Sequence, residues 1–145
     1  MTIFLDTSVL VAAVIAQHDA HSRAFPLLQR VQTGRDTGFV EAHGLAEMYA
    51  VLTRFPPPSR HSPEQALLNI EENVLKHFKV SSLSGAEYVS LLREAALAGI
   101  QGGTIYDSIL LKSAEKSGVD QIFTLNPNHF RAAASAAILP KVTVP

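Results

Sequence analysis

Short apolar segments that alternate with longer helical segments constrain the fold of this chain more than any other feature. Four segments are brief and rich in β-branched or aromatic residues, as buried strands are: residues 2–5, 37–40, 79–82 and 122–125. Residues 141–144 are a candidate fifth strand. Because strands that alternate with helices form βαβ units, the pattern predicts an α/β fold. We expect a central parallel sheet of four to five strands with helices on both faces.

Helical segments separate these strands, and their pattern bears on how many domains the chain contains. The sequence predicts helices at residues 8–16, 19–33, 41–54, 63–77, 84–98, 104–117 and 128–137. Ser62 is the expected N-cap of the fourth helix, because Pro63 behind it favours a first turn. The proline-rich residues 54–60 are the one linker-like stretch, but a split there leaves an N-terminal piece too small to fold well alone. We therefore expect one domain over residues 1–145.

Composition excludes several classes of function. The chain has no cysteine, so it has no disulfide framework, thiol nucleophile or Cys-ligated zinc, and it fits a reducing cytosol. The first residues lack a basic segment, and the longest apolar stretch, residues 9–16, is far too short to span a membrane. These features predict a soluble cytoplasmic protein. A net charge of −1 gives no sign of nucleic-acid binding, since most such domains are distinctly basic. It does not exclude a nucleic-acid partner, because bound metal ions can supply positive charge where a phosphate would lie.

Asp6 is the first candidate site residue, because it ends the first predicted strand. Ligands of open parallel sheets bind just outside the carboxyl ends of the strands. The competing interpretation is structural: Asp6, Thr7 or Ser8 caps the apolar helix that follows. From this segment alone the cap is favoured, although one aspartate can serve both purposes.

Asp107 carries more information, because its helix has a clear apolar side. Helical spacing aligns Asp107 with Leu110, Leu111 and Ala114 and separates it from the side that carries Ser108, Lys112 and Glu115. A carboxylate on an apolar stripe loses hydration unless a partner neutralises it. A metal ion is one such partner. A capping box with Thr104 is the other, so local reasoning favours a functional role only modestly.

Two further polar positions look ordinary when each is considered alone. Glu47 shares its helix side with His43 and Arg54, opposite the apolar residues, which is typical of solvated surface. Asn126 ends the fourth predicted strand, and Pro127 makes it look like common turn chemistry. His129 has no metal-spaced partner and is expected on the surface.

Taken together, four segments resemble the PIN-domain ribonucleases and, among them, the VapC toxins of toxin–antitoxin pairs. The segments are residues 4–10, 47–52, 106–110 and 124–127, and residues 52–56 are similar to one branch of those toxins. Each motif is short, but their order and spacing are fairly specific. The resemblance covers essentially the whole chain, from the first strand to beyond residue 130.

The resemblance implies a catalytic set of Asp6, Glu47, Asp107 and Asn126. Asp6 and Asp107 would contact a Mg²⁺ or Mn²⁺ ion directly, and Glu47 would ligate it through water or help to activate the nucleophile. The family has a more variable acid where this chain has Asn126, which favours one metal over two. Thr7 or Ser8, and Thr124, are candidates for holding the carboxylates in place.

The activity implied by the resemblance is metal-dependent hydrolysis of RNA phosphodiester bonds by the toxin of a type II toxin–antitoxin system. It also implies a homodimer and a small VapB-like antitoxin partner. The alternative is a catalytically weak RNA- or partner-binding module, which Asn126 motivates. Candidate cations for RNA are Arg54, Arg60, Lys112 and Lys116, although such residues are more often plain surface.

Overall fold

A five-stranded parallel sheet forms the centre of the computed structural model, which describes all of residues 1–145. The strands are β1 (Thr2–Leu5), β2 (Thr37–Glu41), β3 (Phe78–Ser81), β4 (Gln121–Phe123) and β5 (Val142–Thr143). Their spatial order is β3-β2-β1-β4-β5, and every neighbouring pair is parallel. The predicted α/β fold is confirmed, including its fifth strand. Because β1 is central, the residue that follows it lies at the middle of the carboxyl edge.

Seven α-helices cover the sheet, and none of them is both long enough and apolar enough to cross a membrane. They are α1 (Thr7–Val14), α2 (His21–Gln32), α3 (Ala42–Arg54), α4 (Pro63–Ile70), α5 (Gly85–Leu97), α6 (Thr104–Lys116) and α7 (Pro127–Ala133). A single π-helical turn, Glu71–Leu75, follows α4, and a 3₁₀ turn, Leu139–Lys141, precedes β5.

The two faces of the sheet belong to two separate apolar clusters, because successive side chains of a strand point to opposite sides. Ile3 and Leu5 of β1 pack with buried residues of α1, α2 and α3, in a cluster of 21 buried side chains. Phe4 packs on the other face in a cluster of nine, with Leu110 of α6 and Phe130 of α7. Both faces of the sheet are therefore covered, as predicted. The two clusters pack beneath the same carboxyl edge of the sheet.

The fourth predicted helix, residues 63–77, is wrong in its second half. Its start agrees with the prediction, because Ser62 caps α4 and forms a reciprocal capping box with Gln65. The α-helix ends at Ile70 and continues as the π turn. There the Asn73 side-chain amide donates to the Asn69 carbonyl at 3.2 Å, at the position where an α-helix would receive a backbone N–H. The spacing of apolar residues does not reveal such a contact between a side-chain amide and a backbone carbonyl.

Other boundaries move by one to four residues, which is the usual precision of sequence signals for element ends. The second helix begins at His21 rather than residue 19, and the last ends at Ala133 rather than 137. Strand β4 ends at Phe123 rather than residue 125. Glu41 belongs to β2 and caps α3, instead of starting that helix.

Candidate active site at the carboxyl edge of the sheet

All four residues predicted for the catalytic set line one open cleft of about 310 Å³. Asp6 follows the central strand, Glu47 lies in the middle of α3, Asp107 lies in the first turn of α6, and Asn126 precedes α7. The elements that carry them come from four separate parts of the chain. The fold therefore brings together residues that no local pattern connects.

Asp6 is held by two hydroxyl groups and is only 8% exposed. Its Oδ2 accepts hydrogen bonds from Ser8 Oγ at 2.6 Å and from Thr124 Oγ1 at 2.9 Å. Asp6 occupies the N-cap position of α1, but its side chain makes no capping hydrogen bond. Burial raises the pKa of Asp6, the two hydroxyls lower it, and the charge of Glu47 raises it further. The arrangement fixes one carboxylate oxygen and leaves Oδ1 without a side-chain partner.

Thr7 has a different role from the one expected for it. Its hydroxyl donates to the Gly44 carbonyl at 3.2 Å and so ties α1 to α3. A Cβ at Gly44 would lie 3.0 Å from Thr7 Oγ1, which makes the absence of a side chain there part of this close approach. The contact sets the distance between the helix that follows Asp6 and the helix that carries Glu47.

Glu47 is half-buried and paired, rather than the plain surface residue that periodicity predicts. Its Oε1 lies 3.0 Å from His43 Nε2, one helical turn earlier. The His43 ring stacks on Tyr106 of α6, with centroids 5.0 Å apart and planes 6° from parallel. The pair therefore connects Glu47 to the helix that carries Asp107. The i, i+4 spacing of His43 and Glu47 is the sequence signal that could have found this contact.

Asp107 shares the cleft with the carboxylates of Asp6 and Glu47. Burial raises its pKa, and the charges of Asp6 and Glu47 raise it further, while His129 lowers it. The capping box with Thr104 is absent, because Gly103 is the N-cap residue and no side chain caps α6. The predicted assignment of Ser108 to the polar side was wrong: its side chain is buried and donates to the Thr104 carbonyl at 3.3 Å.

Asn126 lies on the exposed rim of the cleft, and hydrogen bonds through two hydroxyl groups link its segment to Asp6. Its backbone N–H donates to Thr124 Oγ1 at 3.0 Å, the same hydroxyl that donates to Asp6. The Leu125 N–H donates to Ser8 Oγ at 3.1 Å, and Ser8 in turn donates to Asp6. Ser8 and Thr124 thus hold both the Asp6 carboxylate and the turn that carries Asn126.

Glu41 is a fourth acid at this edge, and its role at the site was missed from the sequence. It lines a small inner pocket together with Asp6, Glu47 and Asp107. It is 3% exposed, its Oε2 accepts from the His43 N–H at the start of α3, and its buried Oε1 has no partner. Burial raises the pKa of Glu41. Because it follows a strand and precedes a helix, it looks in sequence like any capping residue.

The donor set suits a hard divalent cation, although its present geometry does not define a site. No group of three or more His, Asp or Glu side chains is arranged to hold one metal ion. The cleft nevertheless offers carboxylate oxygens, which Mg²⁺ and Mn²⁺ prefer. Burial, and to a smaller extent repulsion within the cluster, raises the pKa of Asp6 and of Asp107, and a bound cation would offset both effects. Metal binding by Asp6, Glu47 and Asp107 stays a prediction.

Of the four candidate cations, none lines the cleft. Lys112 Nζ lies 3.5 Å from Glu115 Oε2, and Lys116 Nζ lies 2.8 Å from Glu87 Oε1, so both lysines are paired with acids away from the cleft. Arg54 is exposed at the end of α3. Arg60 lines a neighbouring groove. His18 was not considered from the sequence, yet it lines the cleft beside Val11 and Phe55.

Comparison with sequence families gives a match over nearly the whole chain. The PIN domain model matches residues 3–135. Ribonuclease VapC40 of Mycobacterium tuberculosis is 31% identical over 113 residues, which are 78% of this chain and 78% of that protein. Ribonuclease VapC27 of the same organism is 29% identical over 110 residues, or 76% of this chain and 74% of that protein.

Solved structures share the architecture at low sequence identity. The crystal structure of Mycobacterium tuberculosis VapC20, a sarcin-ricin loop cleaving toxin, has a TM-score of 0.68 at 16% identity, covering 92% of this chain and 96% of that one. VapBC2 from Rickettsia felis, bound to a DNA fragment from its promoter, has a TM-score of 0.61 at 18% identity, covering 100% of this chain and 98% of that one. At such identities the likeness concerns the fold.

Proposed function

Because the chain belongs to the PIN domain family, we propose that it is an endoribonuclease that hydrolyses RNA phosphodiester bonds and acts as the toxin of a toxin–antitoxin pair. The curated relatives that cover three quarters of the chain are named ribonucleases. The single observation that carries the proposal is the cleft in which Asp6, Glu47, Asp107 and Asn126 meet. Ligands of open parallel sheets bind at this edge.

We further propose that Asp6 and Asp107 hold a Mg²⁺ ion directly, with Mn²⁺ as a substitute, and that Glu47 acts through water or on the nucleophile. The bound ion would lower the pKa of water and stabilise the charge that builds on the phosphate. Asn126 carries no charge, and its carbonyl oxygen can still accept a hydrogen bond or ligate. One metal ion is therefore favoured over two.

The protein's own contribution to this chemistry is orientation. Ser8 and Thr124 hold one oxygen of Asp6, so the side chain is restricted to one rotamer and its other oxygen can face the ligand. His43 similarly restrains Glu47 through the 3.0 Å contact and is itself stacked on Tyr106. Ligands that are already oriented lose less entropy when the substrate phosphate arrives.

The proposed partners follow from the relatives. One structural neighbour is a VapBC complex, which supports a VapB-like antitoxin as the protein partner. A homodimer and a cytoplasmic location are part of the same proposal. The absence of cysteine and of a membrane-spanning helix agrees with that location.

A second candidate function is a catalytically weak module that binds RNA or a partner protein. Asn126 in place of an acid favours it, and so does the lack of a ready three-ligand metal geometry. Purified protein that binds RNA but cleaves no RNA pool in Mg²⁺ or Mn²⁺ would support this function instead.

The test compares RNA cleavage by the wild-type chain and by Asp6→Asn, with Mg²⁺ or Mn²⁺ and with a chelator. We expect cleavage only with the metal and a loss of about 10³-fold in the variant, because a bound metal supplies several kcal/mol of transition-state stabilisation. Mg²⁺ should also raise the melting temperature of the wild type, by mass action, and should do so much less for the variant. Equal cleavage by the two proteins would overturn the role of Asp6.

A further inference from the structure

We propose that a polar groove beside the cleft binds the single-stranded nucleotides that flank the scissile phosphate. The groove lies between the end of α1, the proline-rich loop and the α4–π-turn segment, and we call it the amide groove. Its polar residues include Gln17, Arg60, His61, Gln65, Asn69 and Asn73. This inference rests on the proposed ribonuclease function and adds a substrate subsite to it.

The amide groove adjoins the carboxylate cleft along two stretches of chain. His18 and Phe55 line the cleft, whereas their near neighbours Gln17 and Arg60 line the groove. Arg60 Nε donates to the Phe55 carbonyl at 2.9 Å and so links the two walls. A chain bound with its phosphate at the carboxylates can therefore continue into the groove.

The groove has the size of a nucleotide site. Its volume is about 640 Å³, within the range of cavities that bind small organic ligands. The π turn after α4 brings Glu72 and Asn73 onto its wall, and such turns are frequent at functional sites. A second cavity of about 320 Å³, near Leu111 and Ile138, is lined mostly by apolar residues and has none of the catalytic candidates.

A chain of side-chain contacts holds the polar groups of the groove in place. His61 Nδ1 lies 3.0 Å from the Ser59 carbonyl, and its Nε2 lies 3.1 Å from Asn69 Nδ2. Asn73 Nδ2 donates to Asn69 Oδ1 at 2.9 Å, and Gln32 Nε2 donates to Asn73 Oδ1 at 3.2 Å. A wall of this kind is organised before a ligand binds, which lowers the cost of binding.

The groups left free on this wall are hydrogen-bond donors. Gln17 Oε1 accepts from Ser59 Oγ at 3.2 Å, and Gln65 Oε1 accepts from the Ser62 N–H at 2.9 Å, so each glutamine keeps its amide NH₂. Arg60 uses Nε on Phe55 and keeps both Nη groups. These donors match phosphate oxygens and base carbonyls, the acceptors that single-stranded RNA exposes.

The charge of the groove also suits an anion. Its one acid is Glu72, and Lys76 Nζ lies 2.5 Å from Glu72 Oε2. Arg60 makes no ion pair, so it adds uncompensated positive charge at the rim. A protein partner would be expected to use an apolar core, and eight of the 13 residues of this groove have polar side chains. The observations therefore favour RNA.

The test combines Gln17→Ala with Arg60→Gln and measures the Kd for a short single-stranded RNA in chelator, where cleavage is absent. We expect about tenfold weaker binding and a shallower salt dependence, by about 0.7 in the log–log slope for one lost phosphate contact. With Mg²⁺, KM should rise with little change in kcat. Gln17→Ala alone leaves the Arg60–Phe55 contact intact and should weaken RNA binding by a smaller factor. This single variant tests the groove if the double variant does not fold.

Arg93→Gln is the matched control, because Arg93 is an exposed residue of α5 that lines neither the groove nor the cleft. Its RNA affinity should equal that of the wild type. An unchanged Kd in the double variant, or an equal loss in Arg93→Gln, would overturn the subsite. Weaker binding of an antitoxin with unchanged RNA affinity would assign the groove to a protein and also overturn it. Absence of RNA cleavage by the wild type would instead contradict the proposed function, while the Kd values still decide the groove.

Discussion

The two edges of the sheet carry acids in opposite electrostatic states. At the amino edge, Asp36 precedes β2 and lies 2.5 Å from Arg30 Nη2 and 3.3 Å from the N-terminal amine. Asp120 precedes β4 and accepts from the Thr2 N–H at 2.7 Å and from Thr2 Oγ1 at 2.8 Å, contacts that lower its pKa. At the carboxyl edge, burial raises the pKa of Asp6 and of Glu41, and no cation pairs with either carboxylate.

The difference shows where the fold uses charge for stability and where it tolerates charge at a cost. A carboxylate with a lowered pKa favours folding at neutral pH, whereas one with a raised pKa opposes it. The amino edge binds its acids to cations and N–H donors that are always present. The carboxyl edge keeps several acids together with few donors, which is the usual condition of a site that awaits a charged ligand.

The largest expected effect is a loss of RNA cleavage, and it should follow substitution at the carboxyl edge only. Asp107→Asn should lower the rate of RNA cleavage by about 10³-fold, as removal of a ligand from a catalytic cation would. Its thermal stability should not fall, because the pKa of Asp107 is raised and its charge opposes folding. Cleavage assays with Mg²⁺ and melting curves with chelator measure the two effects.

Asp120→Asn is the control at the opposite edge. It should leave cleavage unchanged and lower the melting temperature, because Thr2 loses a charged acceptor. If it impaired cleavage as much as Asp107→Asn does, the contrast between the two edges would not hold.

A smaller effect is expected at the amino edge itself. Asp36→Asn should lower the free energy of unfolding by about 2 kcal/mol, less than the roughly 3–5 kcal/mol for a fully buried pair, because Arg30 keeps partial access to water. Asp36 is 7% exposed, so water cannot easily take the place of the lost carboxylate beside Arg30. Urea unfolding measures the change, and RNA cleavage at a temperature where the variant is folded should match the wild type. A loss below about 0.5 kcal/mol would place this ion pair with ordinary surface pairs.

The fold was predictable from the sequence to a greater depth than the site. Strand segments such as residues 2–5 are mostly apolar, and that pattern depends only on burial of a parallel sheet. The π turn at Glu71–Leu75 was not predictable, since the apolar spacing of residues 63–77 is that of a continuous α-helix. Helix ends were the least accurate for a similar reason: they depend on single capping contacts.

Within the site, only Asp107 showed a physical signal of its own, through its place beside Leu110 and Leu111. Glu47 looked like surface because its partner His43 and the stacked Tyr106 are contacts of the folded chain. Thr124 lies 118 residues from Asp6 in sequence, so its hydrogen bond could be suggested by resemblance but not by spacing. Glu41 was missed because capping explains it fully at the local level.

The smallest expected effect concerns Glu41 and follows from the direction of its pKa. The raised pKa means that the folded protein binds the Glu41 proton more tightly than the unfolded chain does. The contribution of this proton to the stability of the fold is therefore fully present below pH 4.5, which is the pKa of a glutamate in the unfolded chain. It is lost as the pH rises through the pKa of Glu41 in the folded protein. Glu41→Gln removes this titration and can still accept from the His43 N–H. We expect it to raise the free energy of unfolding at pH 7, by less than the Asp36 substitution lowers it, with the difference vanishing near pH 4.

Glu87→Gln supplies the matched control, because Glu87 is also a glutamate at the start of a helix but is paired with Lys116. That contact lowers the pKa of Glu87 to about 2, so its contribution is present above pH 4.5 and is lost as the pH falls toward 2. Glu87→Gln should therefore destabilise the protein at pH 7, opposite in sign to Glu41→Gln. Urea unfolding in chelator at several pH values measures both variants. A lower stability of Glu41→Gln at pH 7 would mean that the α3 N-terminus compensates the buried charge, and that this carboxylate belongs with the stabilising acids of the amino edge.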